Sequence, residues 1–148
     1  MTNLLMICTG NICRSPMAEG LAPVLGIEYG CQIQSKSAST LGLLNRPADP
    51  KSVKVCKEIR IDISQHKSQP ITQELIDWAD YILVMERKHA QHVRMGYENV
   101  DDKVLELGMF GGLTSIKDPI GGWTYRFRTC RKEIERSLRN FIQQMPKA

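Results

Sequence analysis

The sequence predicts a single α/β domain, a parallel sheet wrapped by helices, and three observations predict it. Two short, continuous apolar runs, "LLMI" at 4–7 and "YILVM" at 81–85, have the length and character of strands covered on both faces. They alternate with helical segments opened by cap-and-proline signals at Ser15-Pro16 and Asp49-Pro50. The 148 residues suit one domain, and no repeat, low-complexity tract or linker divides them.

The elements follow in order. After the strand at 4–7, a helix is expected through Met17, Ala18 and Leu21, with Pro23 kinking or ending it. A second strand fits 32–37. Asp49 caps a helix through Val53, Cys56 and Ile59, and Thr72 caps a short one through Leu75 and Ile76. The strand at 81–85 precedes a helix carrying His89 and His92. Those two are three apart, a spacing that can bind metal, but with no other ligand signal they read as solvated surface. A weaker strand fits 104–107. Residues 124–143 read as a long helix with Phe127, Ile134, Leu138 and either Phe141 or Ile142 near one face.

Composition narrows the function. Apolar residues make up 42% and charged residues 24%, as in an ordinary globular chain, and a net charge of +4 is too mild to suggest nucleic acid. No apolar run has the length of a membrane span, and no secretory signal opens the chain. Cysteines at 8, 13, 31, 56 and 130 are odd in number and scattered, which predicts a reducing cytoplasm rather than a disulfide framework. No CxxC supports a zinc ribbon or a thioredoxin-type site.

The chemistry concentrates in "CTGNICRSP", from Cys8 to Pro16. Ligands of such sheets bind beyond the carboxyl ends of strands, where the next helix begins. Cys8 is predicted at that place. The segment Thr9, Gly10, Asn11, Ile12, Cys13 must turn from strand to helix, and such a turn can point successive N–H groups at an anion. Gly10 and Asn11 tolerate the φ values this needs. Arg14 offers a planar fork to two oxyanion oxygens, and the helix start adds its positive dipole end. Thiols near helix N-termini and cations are biased toward thiolate. Cys8 is therefore expected to be a charged nucleophile, held by the Ser15 hydroxyl and able to attack phosphorus in line. Neither nucleotide-loop pattern, GxxxxGK[ST] or GxGxxG, is present.

At these residues the chain resembles the low-molecular-weight protein tyrosine phosphatases. The resemblance rests on "CTGNICRSPMAE" at 8–19 and continues through "SAST" at 37–40, "RPADP" at 46–50, "QHKSQPIT" at 65–72, "ADYILVM" at 79–85 and "DPIGG" at 118–122. It covers residues 1–148 as one phosphatase domain. It implies a four-stranded parallel sheet with helices on both faces, a phosphate-binding loop after strand 1, no metal, no organic cofactor, and hydrolysis through a phosphocysteine. It implies Cys8 as nucleophile, Arg14 as phosphate clamp, Ser15 as the thiolate's partner, Asn11 as loop brace, Ser37 and His66 as supports, and Asp118 as general acid. Asp118 also has a rationale of its own: a carboxyl on a Pro- and Gly-shaped loop can protonate a leaving oxygen and then activate water. The expected partner is a phosphorylated protein or peptide, with no nucleic acid and no membrane, and the chain is expected to be a monomer or weak dimer. Cys13 is expected to trap oxidised Cys8 as a disulfide.

Departures from the family pattern bear on substrate. Many members carry aromatics after the Asp-Pro pair and on the loop after the second strand; this chain has Ile120-Gly121 and Leu41-Gly42. The Asp-Pro-x-Gly-Gly loop resembles a bacterial branch that includes protein-arginine phosphatases. In that branch a threonine at the position of Ile12 goes with arginine-phosphate selectivity. Apolar Ile12 suits an aromatic ring, so phosphotyrosine is the expected substrate and phosphoarginine the alternative. Arsenate reduction is unsupported because no cysteine pair lies between Cys56 and Cys130. A non-catalytic phosphate-binding module would need neither Cys8 nor Asp118. Trp123, just after the acid loop, is expected in the core or at the rim, within reach of substrate.

Overall fold

In a computed structural model describing residues 1–146, ten elements follow one another. They are β1 (Thr2–Cys8), α1 (Arg14–Glu28), β2 (Ile33–Ser39), α2 (Pro50–Lys57), α3 (Gln73–Trp78), β3 (Tyr81–Val84), α4 (Arg87–Gly96), β4 (Val104–Glu106), a 3-10 turn (Leu107–Gly111) and α5 (Thr124–Gln144). The four strands are all parallel, in the order β2-β1-β3-β4. Strand order reverses beside β1, so its carboxyl end opens on the crevice where parallel sheets bind ligands.

The unbroken apolar run of β1 is explained by burial on both sides. Leu4, Met6 and Cys8 face a core built with Leu21 and Leu25 of α1, Val55 and Cys56 of α2, and Phe127, Ile134 and Leu138 of α5. Leu5 and Ile7 face a smaller core with Ile76 of α3, Ala90 and Val93 of α4, and Ile82 and Val84 of β3. Each such buried side chain contributes roughly 1.5–3 kcal/mol of transfer free energy. Among the described residues, no helix is long and apolar enough to cross a membrane.

Two expectations about α1 are corrected. Pro23 does not end the helix, which continues to Glu28. A proline in a helix orphans the carbonyl four residues back, here Glu19 O, and the Ser35 hydroxyl of the adjoining β2 donates to it at 2.6 Å. Satisfying that carbonyl from outside lets the helix run on. Nor does Ser15 cap α1. The cap position is Cys13, no side chain caps the end, and Ser15 lies inside the first turn with its hydroxyl turned toward β1. By contrast Asp49 and Thr72 do cap α2 and α3, each accepting a backbone N–H.

Candidate active site

Cys8 ends β1 and is buried, and the chain then wraps through residues 9–13 into α1. One residue of the wrap takes a left-handed backbone: Asn11, at φ 58°. Gly10 does not, so the conformational freedom expected of that glycine goes unused and the strain falls on Asn11. Its side chain and carbonyl hold it there. Oδ1 accepts the Gln69 N–H at 3.1 Å, Nδ2 donates to Ser15 Oγ at 2.7 Å, and His66 Nε2 donates to the Asn11 carbonyl at 2.7 Å.

These contacts set a direction. The Gln69 N–H can only donate, which fixes the Asn11 amide; its Nδ2 can only donate, so Ser15 Oγ accepts. The Ser15 proton is then free for Cys8 Sγ, 3.0 Å away. The uncapped first turn of α1, with no acidic side chain in it, leaves its N–H groups and dipole for the same place.

Arg14 is the largest fully buried polar side chain, 1% exposed. Its Nη1 donates to Glu86 Oε2 at 2.5 Å and to the Ile116 carbonyl at 2.8 Å, and its Nη2 to Thr9 Oγ1 at 3.4 Å. Burial alone would lower its pKa, but the Glu86 hydrogen bond and the nearby Cys8 and Asp118 charges outweigh it and raise it. Glu86 is likewise held below its ordinary range, the Arg14 contact overriding its own burial. Arg14 Nε is buried with no protein partner among the described residues, a donor suited to an oxyanion.

Asp118 lies on the exposed loop before α5, its Oδ2 3.6 Å from Arg14 Nη2 and its Oδ1 accepting the Ile120 N–H at 3.1 Å. Gly121 takes φ +79°, and Lys51 Nζ ties the loop to α2 by donating to the Gly122 carbonyl at 2.6 Å. Cys8, Arg14, Ser15, Asn11 and Asp118 therefore converge, and His66 touches the loop directly. Ser37 does not. Its hydroxyl donates to the Glu19 carboxylate, and its carbonyl accepts Gln69 Nε2, so it reaches the loop only through other residues.

His89 corrects the sequence reading. It is 1% exposed rather than solvated, hydrogen-bonded to Thr9 Oγ1 at 2.9 Å, while His92 is exposed as expected. Burial first, then the Arg14 charge, lowers its pKa to about 4. Glu86, Gln69, Glu19 and His89 contact the loop or its supports, a role the sequence did not assign to any of them. The one available signal was the position of Glu86 at the end of a buried strand. Burial, with Asp118 and Asp49 nearby, pushes the Cys13 thiol well above its ordinary range; burial also raises Cys130, and Cys56 to about 12. All five cysteines are free. Leu41, Ile120 and Trp123 are exposed, Trp123 by 75%, so Trp123 lies outside the core. No group of three or more potential metal ligands occurs among the described residues.

A parallel α/β sheet with a cysteine ending its central strand, an anion loop and a buried arginine defines a phosphatase of the cysteine-arginine loop type. The chain belongs to the low molecular weight phosphotyrosine protein phosphatase family, whose profile matches residues 3–148. It is 33% identical over 147 residues to the protein-arginine-phosphatase of Bacillus subtilis, covering 98% of this chain and 97% of that one. It is 30% identical to the low molecular weight protein-tyrosine-phosphatase Wzb of Escherichia coli K12, covering 97% and 95%. The crystal structure of the low molecular weight protein tyrosine phosphatase from T. tengcongensis superposes with a TM-score of 0.91 at 30% identity, covering 98% of this chain and all of that one.

Proposed function

We propose that this protein hydrolyses phosphotyrosine in proteins through a phosphocysteine at Cys8, in the reducing cytoplasm that its free cysteines suit. The observation that carries this is the convergence of three groups. Cys8 Sγ faces a donor hydroxyl at 3.0 Å, Arg14 lies buried beside the loop, and the Asp118 carboxylate stands 3.6 Å from the guanidinium. Arg14 and the loop N–H groups hold the phosphoryl oxygens, and the Cys8 thiolate attacks phosphorus opposite the ester oxygen. Asp118 protonates the departing phenol. It then takes a proton from the water that cleaves the P–S bond, releasing phosphate and regenerating the thiolate. Ile12 and the exposed Leu41, Ile120 and Trp123 supply apolar surface for an aromatic ring.

Phosphoarginine is the second reading, favoured by likeness to the Bacillus subtilis protein-arginine-phosphatase. Comparing kcat/KM on phosphotyrosine and phosphoarginine peptides separates them, since the aromatic reading expects the tyrosine ester to be preferred and a reversed preference rejects it. Loss of p-nitrophenyl phosphate turnover in Cys8→Ser tests the nucleophile. For Cys13 as a redox trap, peroxide-treated Cys13→Ser should recover less activity than wild type on reduction.

A further inference from the structure

A closed ring of hydrogen bonds flanks the anion loop, and it begins and ends at Glu86. The Glu86 carboxylate accepts Arg14 Nη1 at 2.5 Å, while the Glu86 backbone N–H donates to His89 Nδ1 at 3.1 Å. A backbone N–H can only donate, so Nδ1 carries no proton and the neutral imidazole carries its proton on Nε2. Nε2 therefore donates to Thr9 Oγ1 at 2.9 Å, and the same oxygen accepts Arg14 Nη2 at 3.4 Å. Both nitrogens of a buried histidine are spent on this circuit, which joins the loop after β1, the start of α1 and the start of α4.

We propose that His89 is a positioning residue for the phosphate clamp, holding Thr9 Oγ1 against Arg14 Nη2 and so fixing the guanidinium plane beside the anion loop. This rests on the reading of Arg14 as that clamp and deepens it. The two close anchors of the guanidinium, Glu86 and the Ile116 carbonyl, both meet Nη1. A fork held at one nitrogen can still tilt, and two-point recognition of an oxyanion needs the plane set. Thr9 supplies the hold at Nη2. Without it Nη2 is left to the Asp118 carboxylate 3.6 Å away, a pairing that an incoming phosphate must displace. Thr9 in turn is held in place by the one imidazole tautomer the Glu86 N–H permits.

The test measures inhibition by orthovanadate, kcat and KM on p-nitrophenyl phosphate, and thermal melting. The variants are His89→Leu, His89→Gln, Thr9→Val, the Thr9→Val/His89→Leu pair, and Arg14→Ala. His89→Leu and Thr9→Val should each weaken vanadate about tenfold and lower kcat more than they raise KM. The pair should lose no more than either alone, because both break one circuit. The glutamine amide offers both an acceptor oxygen and N–H donors, so His89→Gln should recover most of the loss. The proposal is overturned if His89→Leu binds vanadate within about twofold of wild type, if the two losses multiply, or if His89→Gln does no better than His89→Leu. Arg14→Ala separates the layers. If it loses vanadate while His89→Leu keeps it, only the role of His89 falls; if it keeps vanadate, the clamp reading falls as well.

Discussion

Replacing Glu86 with glutamine removes one negative charge and little else. Arg14 is 1% exposed and Glu86 26%, so the pair joined at 2.5 Å is largely out of water on one side and partly hydrated on the other. Breaking a fully buried pair by deleting one charge costs about 3–5 kcal/mol, because the survivor is left uncompensated. Glutamine keeps an oxygen for Arg14 Nη1, the Ile116 carbonyl still accepts, and solvent reaches position 86, all of which reduce the cost to about 2 kcal/mol. In a chain of this size that corresponds to a fall in Tm of roughly 4–8 °C. The guanidinium also loses its strongest anchor, so kcat/KM should drop about 10- to 100-fold. Differential scanning calorimetry and steady-state kinetics on p-nitrophenyl phosphate read both effects. A Glu86→Gln protein that melts and turns over like wild type would refute the view that this carboxylate holds Arg14.

Three further outcomes are expected. Asp118→Asn should lower kcat about 100- to 1,000-fold on a phenol-type leaving group and distinctly less on p-nitrophenol, which leaves without help; equal losses on both would remove Asp118 from proton transfer. His89 titrates near 4 in the fold against 6.5 in an open chain, so the unfolded state binds more protons between those values. Wild type should therefore lose stability relative to His89→Gln as pH falls from 6.5 to 4, by up to about 3 kcal/mol, and the gap should be flat above pH 7; urea melts across that range would show it, and a pH-independent gap would contradict it. Ser35→Ala should cost about 1–2 kcal/mol by orphaning the Glu19 carbonyl. Adding Pro23→Ala should return most of that, since a new N–H at 23 can reach the same oxygen, and strict additivity would deny the link.

What the sequence disclosed and what it hid differ in kind. The strands, the caps at Asp49 and Thr72, and the set Cys8, Asn11, Arg14, Ser15 are local patterns in which spacing along the chain carries the geometry. Asp118 was legible because its loop chemistry and the family motif coincided. The roles of Glu86, His89 and Gln69 were not, since each makes its contact across 58 or more residues of chain and no local pattern reports that contact. Glu86 meets Arg14 over a separation of 72, His89 meets Thr9 over 80, and Gln69 meets Asn11 over 58. Pro23 misled for the same reason: the rule that proline ends a helix holds only while the freed carbonyl lacks a donor, and Ser35 supplies one from a neighbouring strand.

Hydrolysis by this site requires the sulfur of Cys8 to become bonded to phosphorus during turnover. Quenching Asp118→Asn in mid-reaction with p-nitrophenyl phosphate, then mapping the phosphate by phosphorus NMR and peptide mass spectrometry, should find it on Cys8 as a thiophosphate ester. Turnover with no P–S bond at any time point, or with the phosphate on another residue, would contradict it.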